Sequence, residues 1–88
     1  MNADDYIKKA YDLAESHDWD NAIINLKFAE KIDPKKPIIH EMLYSAYGVT
    51  RNRELAKKHF LIFKKLNPIR AKIILDEMDD MVKKDLGL

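Results

Sequence analysis

Along the first third of the chain the apolar positions recur in steps of three and four: Tyr6, Ala10, Leu13 and Ala14 in one segment, then Ala22, Leu26, Ala29 and Ile32 in the next. Such spacing puts each set on one stripe of an α-helix, so both segments read as amphipathic helices. Between them, Asp18 and Asp20 stand where a side-chain acceptor can cap the second helix. Asp33-Pro34 ends it, because the residue before a proline is pushed out of the α region. The same punctuation returns further on. Pro37 suits the first turn of a helix running to about Val49, residues 51–53 make a turn, and Asn67-Pro68 closes a helix over about residues 54–66.

The second of these hairpins repeats the first. Leu13 pairs with Tyr47, Ala22 with Ala56, Leu26 with Phe60, Ala29 with Phe63, Ile32 with Leu66 and Pro34 with Pro68, every pair 34 residues apart. Six matches at one spacing, without drift, define an internal repeat.

The repeat resembles the tetratricopeptide repeat, whose 34-residue helix–turn–helix unit carries W-x2-L-G-x2-Y, then A-x3-F, then P. The likeness covers residues 3–70. In the first copy Tyr6 takes the Trp place, Ala10 the small-residue place and Leu13 the Tyr place, followed by Ala22, Leu26, Ala29 and Pro34. The stretch from His17 through Trp19 to Ile23 is similar to the family's turn. In the second copy Leu43 and Tyr47 hold the Leu and Tyr places, followed by Ala56, Phe60 and Pro68, while His40 replaces the Trp and Tyr44 the small residue. The pattern has a packing logic. Ala22, Ala29 and Ala56 let helix backbones approach, while Leu13, Leu26, Tyr47 and Phe60 fill the space between hairpins.

The resemblance implies one all-α domain over residues 1–88: repeat 1 at 3–36, repeat 2 at 37–70, and a single capping helix at 71–88. In that helix Ile74, Met78 and Met81 are expected to face the second hairpin, with Asp76, Glu77, Asp79 and Asp80 in water. Five antiparallel helices in a short right-handed α-solenoid would result, near the lower limit for such a stack, and pairing with a second copy of the chain would relieve that.

Composition agrees with a folded helical domain. Hydrophobic residues make up 47% and charged residues 35%, and two Gly with three Pro leave little material for hairpin turns of a sheet. At 88 residues such a domain buries only roughly 60 to 65% of its unfolded surface, so the core is thin. The lack of cysteine removes disulfides, thiolate catalysis and Cys-type metal sites, and makes a cytoplasmic location the default expectation. Residues 1–15 hold four acids and no apolar run of signal-peptide length, and no stretch is long enough to cross a bilayer, so no membrane association is expected.

In stacks of this family the first helix of each repeat lines a concave groove. The resemblance therefore implies that Asp4, Ile7, Lys8, Tyr11 and Glu15 face it from the first copy. Ile38, Glu41, Met42, Ser45 and Val49 follow from the second, and Lys72, Leu75, Asp76 and Asp79 from the cap. An apolar floor with a mostly acidic rim suits an extended or helical segment of a partner protein with apolar anchors and basic flanks. Ile7, Tyr11, Met42 and Leu75 are the expected anchors. The carboxylate-gripping subgroup of the family is not matched, because its Asn place holds Tyr11 in one copy and Ser45 in the other. The implied role is that of an adaptor, a scaffold or a small chaperone, either free-standing or as a unit of a longer protein. A self-assembling structural unit is a third reading.

Charge offers a competing surface. The chain's net charge is only +1, yet Arg51, Arg53, Lys57, Lys58, Lys64, Lys65 and Arg70 stand against the single Glu54, a local balance of +6. A face of this kind neutralises phosphates of nucleic acid or meets another acidic surface. No base-stacking aromatics are interleaved, since Phe60 and Phe63 occupy repeat-core places, and a solvated convex face whose Lys stems cover apolar surface is the stronger reading.

Catalysis finds no support. His17, His40 and His59 fall on a turn and two helices without metal-ligand spacing, so no metal and no cofactor is expected. The acids near the C-terminus lack the dry pocket that acid catalysis needs, and neither a glycine-rich phosphate loop nor a nucleophile in a recognisable setting is present.

Overall fold

The structure, a computed structural model describing residues 1–88, is all-helical. Its elements are α1 (Ala3–Glu15), α2 (Trp19–Ile32), α3 (Pro37–Val49), α4 (Arg53–Leu66), α5 (Pro68–Glu77) and α6 (Asp80–Leu86). Helices α1 and α2 pack as one hairpin and α3 and α4 as another. α2 lies against α3, and α4 carries both α5 and α6.

Local chemistry sets the boundaries. Asn2 and Asp5 form a capping box at α1: the Asn2 side chain accepts the Asp5 N–H at 2.9 Å, and the Asp5 carboxylate accepts the Asn2 N–H at 3.1 Å. Asp18 caps α2, taking the Asn21 N–H at 3.4 Å and its side-chain amide at 2.8 Å, while Asp20 lies inside the first turn. Pro37 and Pro68 each open a helix, and Asn67 both ends α4 and caps α5.

The 34-residue repeat extends to backbone angles. His17 and Arg51 both sit in the left-handed region, at φ 60° and 63°. Each is followed by the same closing bond, from the Asp18 N–H to the Leu13 carbonyl and from the Asn52 N–H to the Tyr47 carbonyl, both 2.8 Å. These bonds satisfy carbonyls that the helix ends would otherwise leave open. Asp33 and Asn67, the residues before the two prolines, have nearly identical angles of φ −141°, ψ 80° and φ −142°, ψ 77°.

The core has two parts. Ala10, Ala22, Leu26, Ala29, Ile39, Leu43, Tyr47 and Ala56 join the two hairpins in one buried cluster. Phe60, Phe63 and Ala71 form a second beneath α5, with Ile74, Leu75 and Met78 packed on it. Tyr44, at the small-residue place, lays its ring 5.1 Å from Phe60. Ile32 departs from the expected stripe: as the last residue of α2 it is 51% exposed.

The C-terminal segment also departs from expectation. In place of one helix over 71–88 there are two, making six helices in all, and the first begins at Pro68. Met78 is extended at ψ 135°, and the Asp79 carboxylate accepts the Met81 N–H at 2.8 Å as the cap of α6. A continuous helix would stack Asp76 on Asp79 and Asp80, and Glu77 on Asp80, as like-charged neighbours, whereas a break turns Asp79 to its preferred capping role. One consequence is that Met81 does not face the second hairpin; it is 79% exposed. The chain instead folds back, and left-handed Gly87, at φ 69°, brings Leu86 onto the first cluster and Leu88 onto the second.

Candidate functional site

The residues expected to line a groove divide between exposed and partly buried positions. On α1, Asp4, Lys8, Tyr11 and Glu15 are exposed, whereas Ile7 packs partly on the core. Ile38, Ser45 and Val49 of α3 are exposed, with Glu41 and Met42 half-buried. On α5, Lys72 and Asp76 are exposed and Leu75 rests on the second core cluster. Asp79 belongs to the break between α5 and α6.

Two hollows border some of these residues. The smaller, about 150 Å³, opens between α1, α2 and α3 over Ala10, Ala14, Trp19, Ala22, Leu26 and Ala46, with Glu41, Met42 and Ser45 at its edge. The larger, about 580 Å³, lies between α3 and α6; Tyr44, Ser45, Gly48 and Val49 form one wall and Val82, Asp85 and Leu86 the other, with Arg51 and Arg53 at one end. Ser45 borders both. Of the four expected anchors only Met42 lines a hollow here, and Leu75, Asp76 and Asp79 line neither.

Ion pairs redraw the charge map. Arg70 grips Glu41 through both its Nε and Nη2, the latter at 3.3 Å, so a member of the basic set is tied to one of the expected groove residues. Lys36 holds Asp4 at 3.1 Å, and Arg53 reaches Asp85 of α6 at 3.3 Å. Lys58, Lys64 and Lys65 remain exposed on α4, Lys57 is half-buried, and Arg51 turns to the larger hollow.

The structure corrects the picture of scattered histidines. His17 is exposed, but His40 and His59 are buried with their Nδ1 atoms 3.0 Å apart and their rings nearly parallel. The His40 Nε2 lies 2.6 Å from the Pro34 carbonyl oxygen. A carbonyl only accepts, so this nitrogen carries the proton and the His40 Nδ1 lone pair points at His59. Tyr47 stacks on His59 with centroids 5.6 Å apart, and the His59 Nε2 is buried without a partner. Glu30 of α2 brings Oε2 within 3.8 Å of both Nδ1 atoms, while Lys27 holds its Oε1 at 2.6 Å. Burial pushes the His59 imidazole down to about 4 against the upward pull of the Glu30 carboxylate. Burial raises the Glu30 carboxyl, and the Lys27 hydrogen bond and charge outweigh it, so the net displacement is downward.

Spacing within one helix could not reveal this cluster, because its members come from α2, α3 and α4. The repeat alignment held the signal. His40 stands where the first copy has Tyr6, and His59 where it has Asn25, so two imidazoles replace an aromatic that stacks on Phe28 and an amide that donates to the Asn21 carbonyl.

No family model, no curated protein and no solved structure matches the chain. No helix is long and apolar enough to cross a membrane.

Proposed function

We propose that the chain is a protein-binding module of tetratricopeptide type, an adaptor or small chaperone that takes an extended or helical segment of a partner protein across α1 and α3. The observation that carries this reading is the apolar hollow between α1, α2 and α3. Its walls are small residues, Ala10, Ala14, Ala22 and Ala46, and seven of its nine lining residues are hydrophobic. Apolar hollows of about 150 Å³ take up a benzene-sized group, so one large aliphatic or aromatic side chain of the partner fits. Exposed Tyr11 and Ile38 on the same two helices extend the apolar contact beyond it. Because Asp4 and Glu41 are engaged in ion pairs, apolar anchoring supplies most of the affinity, and basic flanks of the partner are steered chiefly by Glu15 and Asp76.

The test is capture from the source cell's lysate with the wild-type chain and the Tyr11→Ala/Met42→Ala double variant side by side. A peptide from the captured protein is then titrated into isotope-labelled chain. The expected result is a protein lost with the double variant, and amide shifts concentrated at Ala10, Ala14, Met42 and Ala46. Retention of the same protein by both, or of nucleic acid equally by both, overturns the reading.

A further inference from the structure

Glu30, His40 and His59 come from three successive helices and meet at the joint between the two hairpins. Three features distinguish this meeting from ordinary packing. The first is the separation of the donors. Two imidazole nitrogens bound to one zinc ion at about 2.0 to 2.1 Å stand roughly 2.9 Å apart for a right-angled arrangement and roughly 3.3 Å for a tetrahedral one. The Nδ1 atoms stand 3.0 Å apart, which is also the length of the N–H···N hydrogen bond they share, so an ion would take the place of that bond at nearly the same spacing. The Glu30 Oε2, at 3.8 Å from both, is within about half an ångström to an ångström of a ligand's place, and its side chain is 21% exposed and able to move.

The second feature is support from behind. Metal-ligating imidazoles donate their other N–H to a carbonyl or carboxylate, and ligating carboxylates are themselves hydrogen-bonded. Here the Pro34 carbonyl holds the His40 Nε2–H, and Lys27 holds the Glu30 oxygen that points away from the imidazoles. The first of these contacts fixes the His40 tautomer and the second leaves the Glu30 Oε2 facing both imidazoles; the two Nδ1 atoms meet end to end, so a shared ion takes a small swing of the rings off that line. The third is the donor set. Two imidazole nitrogens and one carboxylate suit zinc(II) and similar divalent transition ions, whereas calcium and magnesium favour all-oxygen shells.

We propose that Glu30, His40 and His59 form a zinc-class metal site that clips the first hairpin to the second. Binding displaces the proton from the His59 Nδ1 and moves His59 to its other tautomer, while His40 keeps the tautomer that Pro34 already fixes. The His59 Nε2 lacks a partner in either tautomer, so the bare imidazole pair gains nothing there by staying empty. A fourth position remains for water on the Glu30 side, the exposed edge of the cluster. The first copy has no equivalent, since Tyr6 and Asn25 occupy the matching places. The site is independent of the partner-binding reading above.

Metal-stripped chain is titrated with zinc chloride by calorimetry and, separately, with cobalt chloride while visible absorption is recorded. The expected result is one ion per chain with micromolar or tighter affinity, an intense cobalt band of low-coordinate type, and a raised thermal midpoint with zinc in excess. Glu30→Gln, at a partly exposed position that leaves the fold intact, weakens zinc at least about tenfold. His59→Asn, which restores the residue of the first copy, abolishes the cobalt band, and His17→Ala changes neither. Absence of zinc binding to the wild-type chain, or equal binding by the wild-type and Glu30→Gln chains, overturns the proposal.

Discussion

The two glycines make opposite predictions under one substitution. Gly48 lies in the last turn of α3 with φ outside the left-handed region, and a Cβ built there meets nothing within 4 Å. Glycine inside a helix costs about 0.5 to 1 kcal/mol relative to alanine, through the backbone freedom lost on folding. Gly48→Ala therefore stabilises the chain by about that amount, and for a domain of this size the thermal midpoint rises by about 2 to 8 °C. Gly87 differs. Its φ is +69°, and a Cβ there would lie 3.0 Å from the Lys57 Nζ, the far end of a flexible side chain. The neighbour can give way but the backbone cannot, so Gly87→Ala loses about 1 kcal/mol at the C-terminus of α6. Thermal melts followed by circular dichroism at equal concentration decide the matter. An unchanged or lowered midpoint for Gly48→Ala would refute the reasoning, as would a raised one for Gly87→Ala.

Other outcomes are equally definite. Phe60 is fully buried between Tyr44 and Phe63, and Phe60→Ala loses about 3 to 5 kcal/mol in urea unfolding, enough to leave so small a domain barely folded at 25 °C; a loss under about 1 kcal/mol would show that this second core cluster is dispensable. Acid acts through His59, whose folded value of about 4 lies below its ordinary 6.5. Above pH 6.5 neither folded nor unfolded chain binds this proton. Between 6.5 and 4 the unfolded chain binds it and the folded one refuses, so stability falls as pH falls, by about 3 kcal/mol over that window. In chelator-containing buffer the wild-type chain accordingly loses more stability between pH 7 and 4.5 than His59→Asn does, and parallel losses would sink this account.

Helix limits were legible wherever a single residue type decides them. Asp18, Asp33-Pro34, Pro37 and Asn67-Pro68 each act on the adjacent turn, and the helices begin and end there. The repeat was legible too, down to turn angles at His17 and Arg51 that no pairwise match had specified. The break at Met78 and Asp79 was not. A run of Asp and Glu satisfies the pattern of a solvent-facing helix surface as well as that of a cap, and the return of Leu86 and Leu88 to the core, which adds to the like-charge repulsion in favouring the cap, has no local signature. The groove was read one helix at a time. The large hollow depends on α6 folding back beside α3, a long-range event without a local signature. The histidine cluster escaped for the same reason, its imidazoles being 19 residues apart and its carboxylate on another hairpin.

The second wall of the large hollow buries no residue of its own. Helix α6 rests on α4 through Leu86, the terminal Leu88 and an exposed ion pair between Arg53 and Asp85. Regions with few buried apolar contacts open at a small fraction of the global unfolding free energy, as separate cooperative units. The expectation is that α6 exchanges its amide hydrogens while α1 to α4 stay closed, so that the hollow between α3 and α6 exists as a population of widths. Salt that screens Arg53 from Asp85 shifts that population toward the wide form. The chain thus carries a two-hairpin body and one adjustable edge, and widening the hollow costs the release of seven residues rather than a loosening of the core.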